Sequence, residues 1–298
     1  MSTFGERFHA AIEKRGPLCV GIDPHPALLR AWGLDDDVRG LESFSHTVVE
    51  ALGAEVAVIK PQSAFYERFG ASGIAVLEST IRHLRSAGAL VLLDVKRGDI
   101  GSTVQGYADA YLHPSSPLSV DAITATPYLG FGSLRPMIDT ALAYEAGVFV
   151  VVLTSNPEGA AVQHARMADG RSVGQYMIDE IAQVNRGAYP IGSIGAVVGA
   201  TVGGTAHDFT SINGPMLAPG IGAQGGTPAG LRTVFGNDLS AVLPSASREI
   251  LSAGPEPASL RAAAVRVLSA CRDAVAGTPR DQVRPMVDPG VAETGVDR

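Results

Sequence analysis

Cysteine is scarce in this chain. Only Cys19 and Cys271 occur in 298 residues, one in an apolar run and one in a helical pattern. Two isolated thiols exclude a disulfide framework and read as buried residues in a reducing compartment, so a cytoplasmic location is expected. Long apolar runs are lacking too, since none approaches the roughly 20 residues that span a bilayer. The opening segment MSTFGERFHAAIEKRG is amphipathic and charged, without the unbroken apolar stretch or the small-residue cleavage site of a secretory leader. Basic tracts are missing, and the formal net charge is −7. Nucleic acid and membrane surfaces are therefore not expected partners. A single phosphate stays within reach, because a few backbone amides and one arginine can hold it. There is no CxxC, no Walker A loop and no GxSxG elbow. The seven histidines are scattered without metal-ligand spacing, so no metal site is expected.

What is present is apolar and periodic. Hydrophobic residues make up 46% of the chain and charged residues 18%, enough for a large core. Short β-rich runs alternate with helix-period segments. Strands are predicted at Leu18–Asp23, Val56–Lys60, Ala89–Val95, Ala122–Thr126, Val148–Leu153, Ala196–Ala200, Met216–Ala218 and Ala241–Pro244. They are almost continuously apolar, as expected of parallel strands buried on both faces. Between them run helical stripes: Val38, Leu41, Phe44, Val48 and Leu52; Ile74, Leu77, Ile81 and Leu84; Val173, Met177, Ile181 and Val184; Leu260, Ala264, Val267, Cys271 and Val275. Eight β-then-α units point to an α/β fold, a single (β/α)8 TIM barrel over residues 1–276, although an open doubly wound sheet gives a similar pattern. The stretch Asn156–Pro190 is long for a βα connection and reads as an insertion after strand 5 with its own helix. Residues 277–298, rich in Pro, Gly, Asp and Arg, read as a loose tail.

In such a barrel, chemistry sits at the C-terminal ends of the strands. There the apolar runs end in Asp23, in Lys60, in Asp94 and Lys96, and in Thr154-Ser155-Asn156. Asp94 and Lys96, two apart on a strand, share a face. Lys60 can reach the same place from the neighbouring strand, and Asp99 follows in the turn. Two ammonium groups and two carboxylates would then alternate. At about 4 Å and an effective dielectric near 20, each opposite pair gains about 4 kcal/mol before desolvation, so all four should stay charged. A charged lysine is a proton donor and an electrostatic stabiliser rather than a Schiff-base nucleophile. An ion-pair network that only supports the rim has the same composition. The run Gly220–Gly226 contains GxGxxG, but too late in the chain for a dinucleotide fingerprint. It reads instead as a phosphate loop after strand 7, with exposed amides, a following helix N-terminus, and Arg248 adding a guanidinium. A flexible surface loop is the alternative. His25, Trp32, Phe65 and Tyr66 read as loop and packing residues.

The segment Leu93-Asp94-Val95-Lys96-Arg97-Gly98-Asp99-Ile100-Gly101-Ser102-Thr103 resembles the DxKxxDI signature of orotidine monophosphate decarboxylases. Gly21-Ile22-Asp23-Pro24, Ile59-Lys60-Pro61-Gln62, Thr154-Ser155-Asn156, the loop holding Gln224, and Arg248 follow in family order, so the likeness runs from strand 1 to strand 8. The KRGDIGST and KPQ forms are similar to a long-chain bacterial subgroup. The resemblance implies conversion of orotidine 5'-monophosphate to uridine 5'-monophosphate, without a cofactor, in a homodimer with shared active sites. It also implies roles. Asp23 and Lys60 would hold ribose hydroxyls, and Asp94 would sit against the substrate carboxylate. Lys96 would protonate C6, and Ser155 would contact the pyrimidine. Gln224 and Arg248 would bind phosphate, the former on a closing lid. Asp99, Ile100 and Thr103 would reach the partner's site. Two departures stand out. Many members have Lys-Val-Gly or Lys-Ile-Gly where Lys60-Pro61-Gln62 stands, and many have Gly where Ser247 precedes the arginine. Rival expectations are a metal-dependent sugar-phosphate lyase of the same superfamily and a non-catalytic phosphate-binding barrel. Lys60 would repel the metal of the first, and a proton donor is superfluous in the second.

Overall fold

The computed structural model describes residues 2–204 and 206–276. The expected tail, 277–298, lies outside the described residues. The strands are β1 (Cys19–Ile22), β2 (Val58–Pro61), β3 (Leu90–Arg97), β4 (Ala122–Ala125), β5 (Gly147–Leu153), β6 (Ile194–Val198), β7 (Met216–Pro219) and β8 (Val242–Ala246). They form a closed barrel in sequence order, and β8 pairs in parallel with β1. The open doubly wound alternative is thereby overturned.

Alternation along these strands sorts the core into two parts. Cys19, Val58, Leu92, Phe149, Val197, Leu217 and Leu243 fill one cluster together with Phe4 and Phe8. Phe4 meets Phe149 edge-on at 6.0 Å, so the helix Phe4–Arg15 stoppers the bottom of the barrel. The other faces of the strands pack against the helices in a second, larger cluster. The helix Val38–Leu52 shows the local logic. Asp37 caps it by accepting from the Gly40 amide at 2.8 Å, and Leu41, Phe44, Val48 and Leu52 are fully buried along one stripe. Phe44→Ala would cost about 3–5 kcal/mol by leaving a cavity.

Two connections differ from the sequence expectation. No helix links β6 to β7 among the described residues. That segment is rich in Gly and Thr, poor helix formers. Phe209 and Ile212 do the covering instead, both buried, with the Phe209 ring 5.5 Å from that of Phe235. After β5, the helix Val173–Val184 is the ordinary barrel helix, burying Met177, Ile178 and Ile181. The extra chain is therefore confined to the part before it. It comprises a 3-10 turn at Pro157–Gly159, a short helix at Ala160–Gln163 and an antiparallel bridge between Arg166 and Ser172. Cys19 and Cys271 are free and buried, and burial pushes each thiol up to about 12. Among the described residues no helix is long and apolar enough to cross a membrane.

Candidate active site

Asp94 is the hub of the rim. Its Oδ2 accepts from Lys60 Nζ at 2.9 Å and from Gln62 Nε2 at 2.9 Å. Its Oδ1 accepts from Lys96 Nζ at 2.6 Å and from Thr124 Oγ1 at 2.8 Å. The side chains of Lys60 and Asp94 are each 8% exposed, whereas that of Lys96 is 48% exposed. One ammonium is thus sealed beneath the carboxylate and the other faces the opening. Burial alone would raise the Asp94 carboxyl, but Lys60 and then Lys96 outweigh it and hold the group well below the ordinary carboxylate range. Burial likewise works against the Lys60 ammonium, but Asp94 and then Asp23 keep it above its ordinary value.

Regular alternation does not by itself produce this meeting. Leu93 pairs with Ile123 and Arg97 with Ala125, so residues 94 to 96 all lie opposite Thr124 in a bulge. Within it Lys96 adopts the left-handed region at φ 45°. Its amide donates to Thr124 Oγ1 at 2.9 Å, which ties the strained backbone to the same hydroxyl that serves Asp94. Gly98 follows because nothing larger fits. A Cβ there would lie 2.2 Å from the Thr126 carbonyl oxygen.

Asp23 ends up beside this group. Its Oδ1 and the Oγ of Ser247 are buried without a hydrogen-bond partner, on either side of Gly21, where an added Cβ would be 3.1 Å from Asp23 Oδ2 and 2.9 Å from Ser247 Cβ. Buried polar atoms of this kind suit a ligand hydroxyl. Asp99 does not join the array within its own chain. Its carboxylate accepts from the Ile100 amide at 2.8 Å, at the start of the helix Gly101–Leu112. Ile100 is 62% exposed, and Thr103 is exposed beside it. Ser155 is exposed at the end of β5.

The glycine loop is less generous with amides than expected. Gly220, Gly222 and Gly225 take positive φ, and the loop closes on itself. The amides of Ile221, Gly222, Gly225 and Gly226 donate to Ser245, Gly226, Gly222 and Gly220 carbonyls respectively. The next helix, Leu231–Phe235, is only five residues long, so no helix dipole of consequence follows. Side chains supply exposed polar groups on this side. Gln224 and Arg248 are both exposed, the latter opening the short helix Arg248–Leu251 after β8.

Gln62, noted only as part of the departure at Lys60-Pro61-Gln62, and Thr124 were given no role from sequence. Their signal was a polar residue beside or within an apolar strand run. His25, by contrast, is the expected loop residue, its Nδ1 accepting from the Ala27 amide to cap a helix. Trp32 packs on Phe44 at 4.2 Å.

A closed parallel barrel carrying a lysine–aspartate–lysine row at its C-terminal rim defines a (β/α)8-barrel enzyme. The sequence model of the Orotidine 5'-phosphate decarboxylase / HUMPS family matches residues 16–263, and the chain belongs to that family. It is 68% identical over 278 residues to an orotidine 5'-phosphate decarboxylase of Salinispora arenicola, covering 93% of this chain and 100% of the relative. A Streptomyces coelicolor protein of that name is 58% identical over 275 residues, covering 92% and 99%. A crystal structure from Streptomyces avermitilis superposes with TM-score 0.90 at 57% identity, covering 93% of this chain and 97% of that one. The Leishmania donovani OMP decarboxylase superposes with TM-score 0.68 at 30% identity, covering 93% and 99%.

Proposed function

We propose that the chain decarboxylates orotidine 5'-monophosphate to uridine 5'-monophosphate, with no cofactor, in the cytoplasm. The bond from C6 to the carboxylate breaks heterolytically. CO2 departs, and the electron pair stays on C6. The Lys96 ammonium stabilises that carbanion and then gives it a proton, which solvent later restores to the lysine. Fixed charge in a site with little water is what such a step demands, because the pyrimidine cannot delocalise the pair. Asp94 lies against the leaving carboxylate and holds the buried Lys60 charged. Lys60 and Asp23 take the ribose hydroxyls, Ser155 the pyrimidine, and Gln224 and Arg248 the phosphate. Binding energy gained at the remote phosphate helps to assemble the reacting end.

The observation that carries this reading is the Lys60–Asp94–Lys96 row, with its outer ammonium open to the mouth. It also speaks against a metal-dependent lyase, since both Asp94 oxygens already accept from ammonium groups. Purified protein should remove the long-wavelength ultraviolet absorbance by which orotidine 5'-monophosphate exceeds uridine 5'-monophosphate, with or without chelator. No absorbance loss, or loss only with added divalent metal, overturns the proposal.

The same reading makes the enzyme a homodimer. Asp99, Ile100 and Thr103, turned outward at the start of one helix, complete the partner's site. Mixing inactive Lys96→Ala and Asp99→Ala proteins should restore up to about a quarter of native activity, because half of randomly paired dimers carry one intact site. Absence of any recovery after subunit exchange removes the shared site.

A further inference from the structure

The bulge that presents Lys96 is gripped from behind. Arg97 lies on the helix-facing side of β3, its guanidinium 5.6 Å from the Tyr107 ring centroid and 6.0 Å from that of Tyr111. One arm, Nη1, turns back to donate to the Val95 carbonyl, inside the bulge, at 3.0 Å. The other, Nη2, donates to Glu67 Oε1 and reaches Tyr111 Oη at 3.4 Å. Glu67 Oε1 also accepts from Ser63 Oγ. The Ser63 amide in turn donates to the Asp94 carbonyl at 3.3 Å. The carbonyl of Arg97 accepts from Thr126, re-entering the β3–β4 ladder beyond the bulge.

The circuit Ser63–Glu67–Arg97 therefore spans the bulge from Asp94 to Val95 on the side away from the reaction. A non-glycine residue at φ 45° is held only where its surroundings over-determine it. The β4 side holds Lys96 itself, through its amide to Thr124 Oγ1 and through its carbonyl, which accepts from Thr126 Oγ1 at 3.3 Å, while the Arg97 circuit holds the carbonyls of Asp94 and Val95 that lead into it. Lysine in place of Arg97 would bring one nitrogen to the two acceptors that Arg97 meets with two.

We infer that Arg97, anchored by Glu67, is a positioning residue that sets the left-handed backbone of Lys96 and so the placement of its ammonium. The inference rests on the role proposed for Lys96. Steady-state kinetics, uridine 5'-monophosphate binding and thermal unfolding should be measured for Arg97→Met, Arg97→Lys, Glu67→Ala and Lys96→Ala in the full chain. For Arg97→Met, kcat should fall about 30- to 100-fold while KM and product affinity stay within about threefold, since displacement of a reacting group by about 1 Å costs that much. Arg97→Lys should recover part of the loss. A folded Arg97→Met protein with kcat within about threefold of native overturns the inference. So does a fall in kcat matched by an equal loss of product-binding sites, which marks a merely structural arginine. Should Arg97→Met fail to fold, Glu67→Ala decides, with a fall of about tenfold in kcat expected at constant KM and an unchanged kcat fatal. Lys96→Ala separates the two levels. If it still turns over, the proposed mechanism fails; if it is inactive while Arg97→Met is normal, only the positioning role does.

Discussion

The rim is built in two styles. Over β2, β3 and β4 the polar side chains are bonded to one another: Lys60, Gln62, Lys96 and Thr124 all converge on Asp94. Over β7 and β8, Gln224 and Arg248 are exposed, and four of the loop amides are spent on carbonyls of the loop and of β8. The difference teaches where preorganisation is needed. Charge that develops during a bond-breaking step is best met by dipoles and ions already in place, because reorganising them would add to the barrier. A phosphate brings its own charge and persists through the reaction, so its ligands can gather around it on binding.

The largest effect should follow from removing the exposed ammonium. Lys96→Ala is expected to lower kcat by at least about 10³-fold, about 4 kcal/mol, while product binding remains measurable by calorimetry. Asp94→Asn attacks the same side through stability as well. It leaves Lys60 sealed at 8% exposure without its counter-charge, a change that costs about 3–5 kcal/mol when a buried pair is broken. Urea unfolding at neutral pH measures it. The pH dependence has a definite sign. The Asp94 carboxyl is depressed in the fold, so its contribution is complete above the ordinary carboxylate value near 4 and fades as pH falls below that. The Lys60 ammonium is raised, so its contribution is complete below about 10 and fades as pH rises further. The gap between native and Asp94→Asn stability should thus be flat from about pH 5 to 9 and shrink on the acid side. A gap that widens in acid would contradict the pairing.

Arg248→Ala, on the open side, should raise KM by about 30-fold, the loss of one charge-assisted contact of about 2 kcal/mol. Its unfolding free energy should move by less than about 0.5 kcal/mol, since the residue is exposed. A large loss of stability there would erase the contrast between the two sides.

The same contrast governs what could be read from the chain. Strands and helix stripes were legible because apolar periodicity is a local signal, and Lys60, Asp94 and Lys96 were legible because charge at the end of an apolar run is conspicuous. The bulge was not, since Lys96 reaches φ 45° through tertiary bonds to Thr124 that no local pattern announces. Gln62 and Thr124 were missed because neutral polar residues near strands are common, and only the fold aims them at Asp94. Nor was it legible that four amides of the glycine loop bond to carbonyls. Glycine spacing reports backbone freedom, but not whether the freed amides face a ligand or, as at Gly222 and Gly226, carbonyls of the same loop. The helix expected between β6 and β7 was an extrapolation from the repeat, and the Gly- and Thr-rich composition of that segment argued against it.

The smallest effect expected is that of Gln224→Ala. The side chain is exposed, and it lies over Gly220, where an added Cβ would sit 3.1 Å from its Oε1. Loss of one neutral hydrogen bond to phosphate is worth about 0.5–1.5 kcal/mol, so KM should rise about 2- to 12-fold with kcat nearly constant. The sharper measurement uses orotidine, which lacks the phosphate. Gln224→Ala and Arg248→Ala should leave its slow turnover unchanged, whereas Lys96→Ala should lower turnover of both substrates by the same factor. Equal sensitivity of orotidine to all three would mean that the β7–β8 side shapes the reacting end directly. The open side would then be part of the catalytic machinery, rather than the place where the ligand supplies what the protein leaves unbonded.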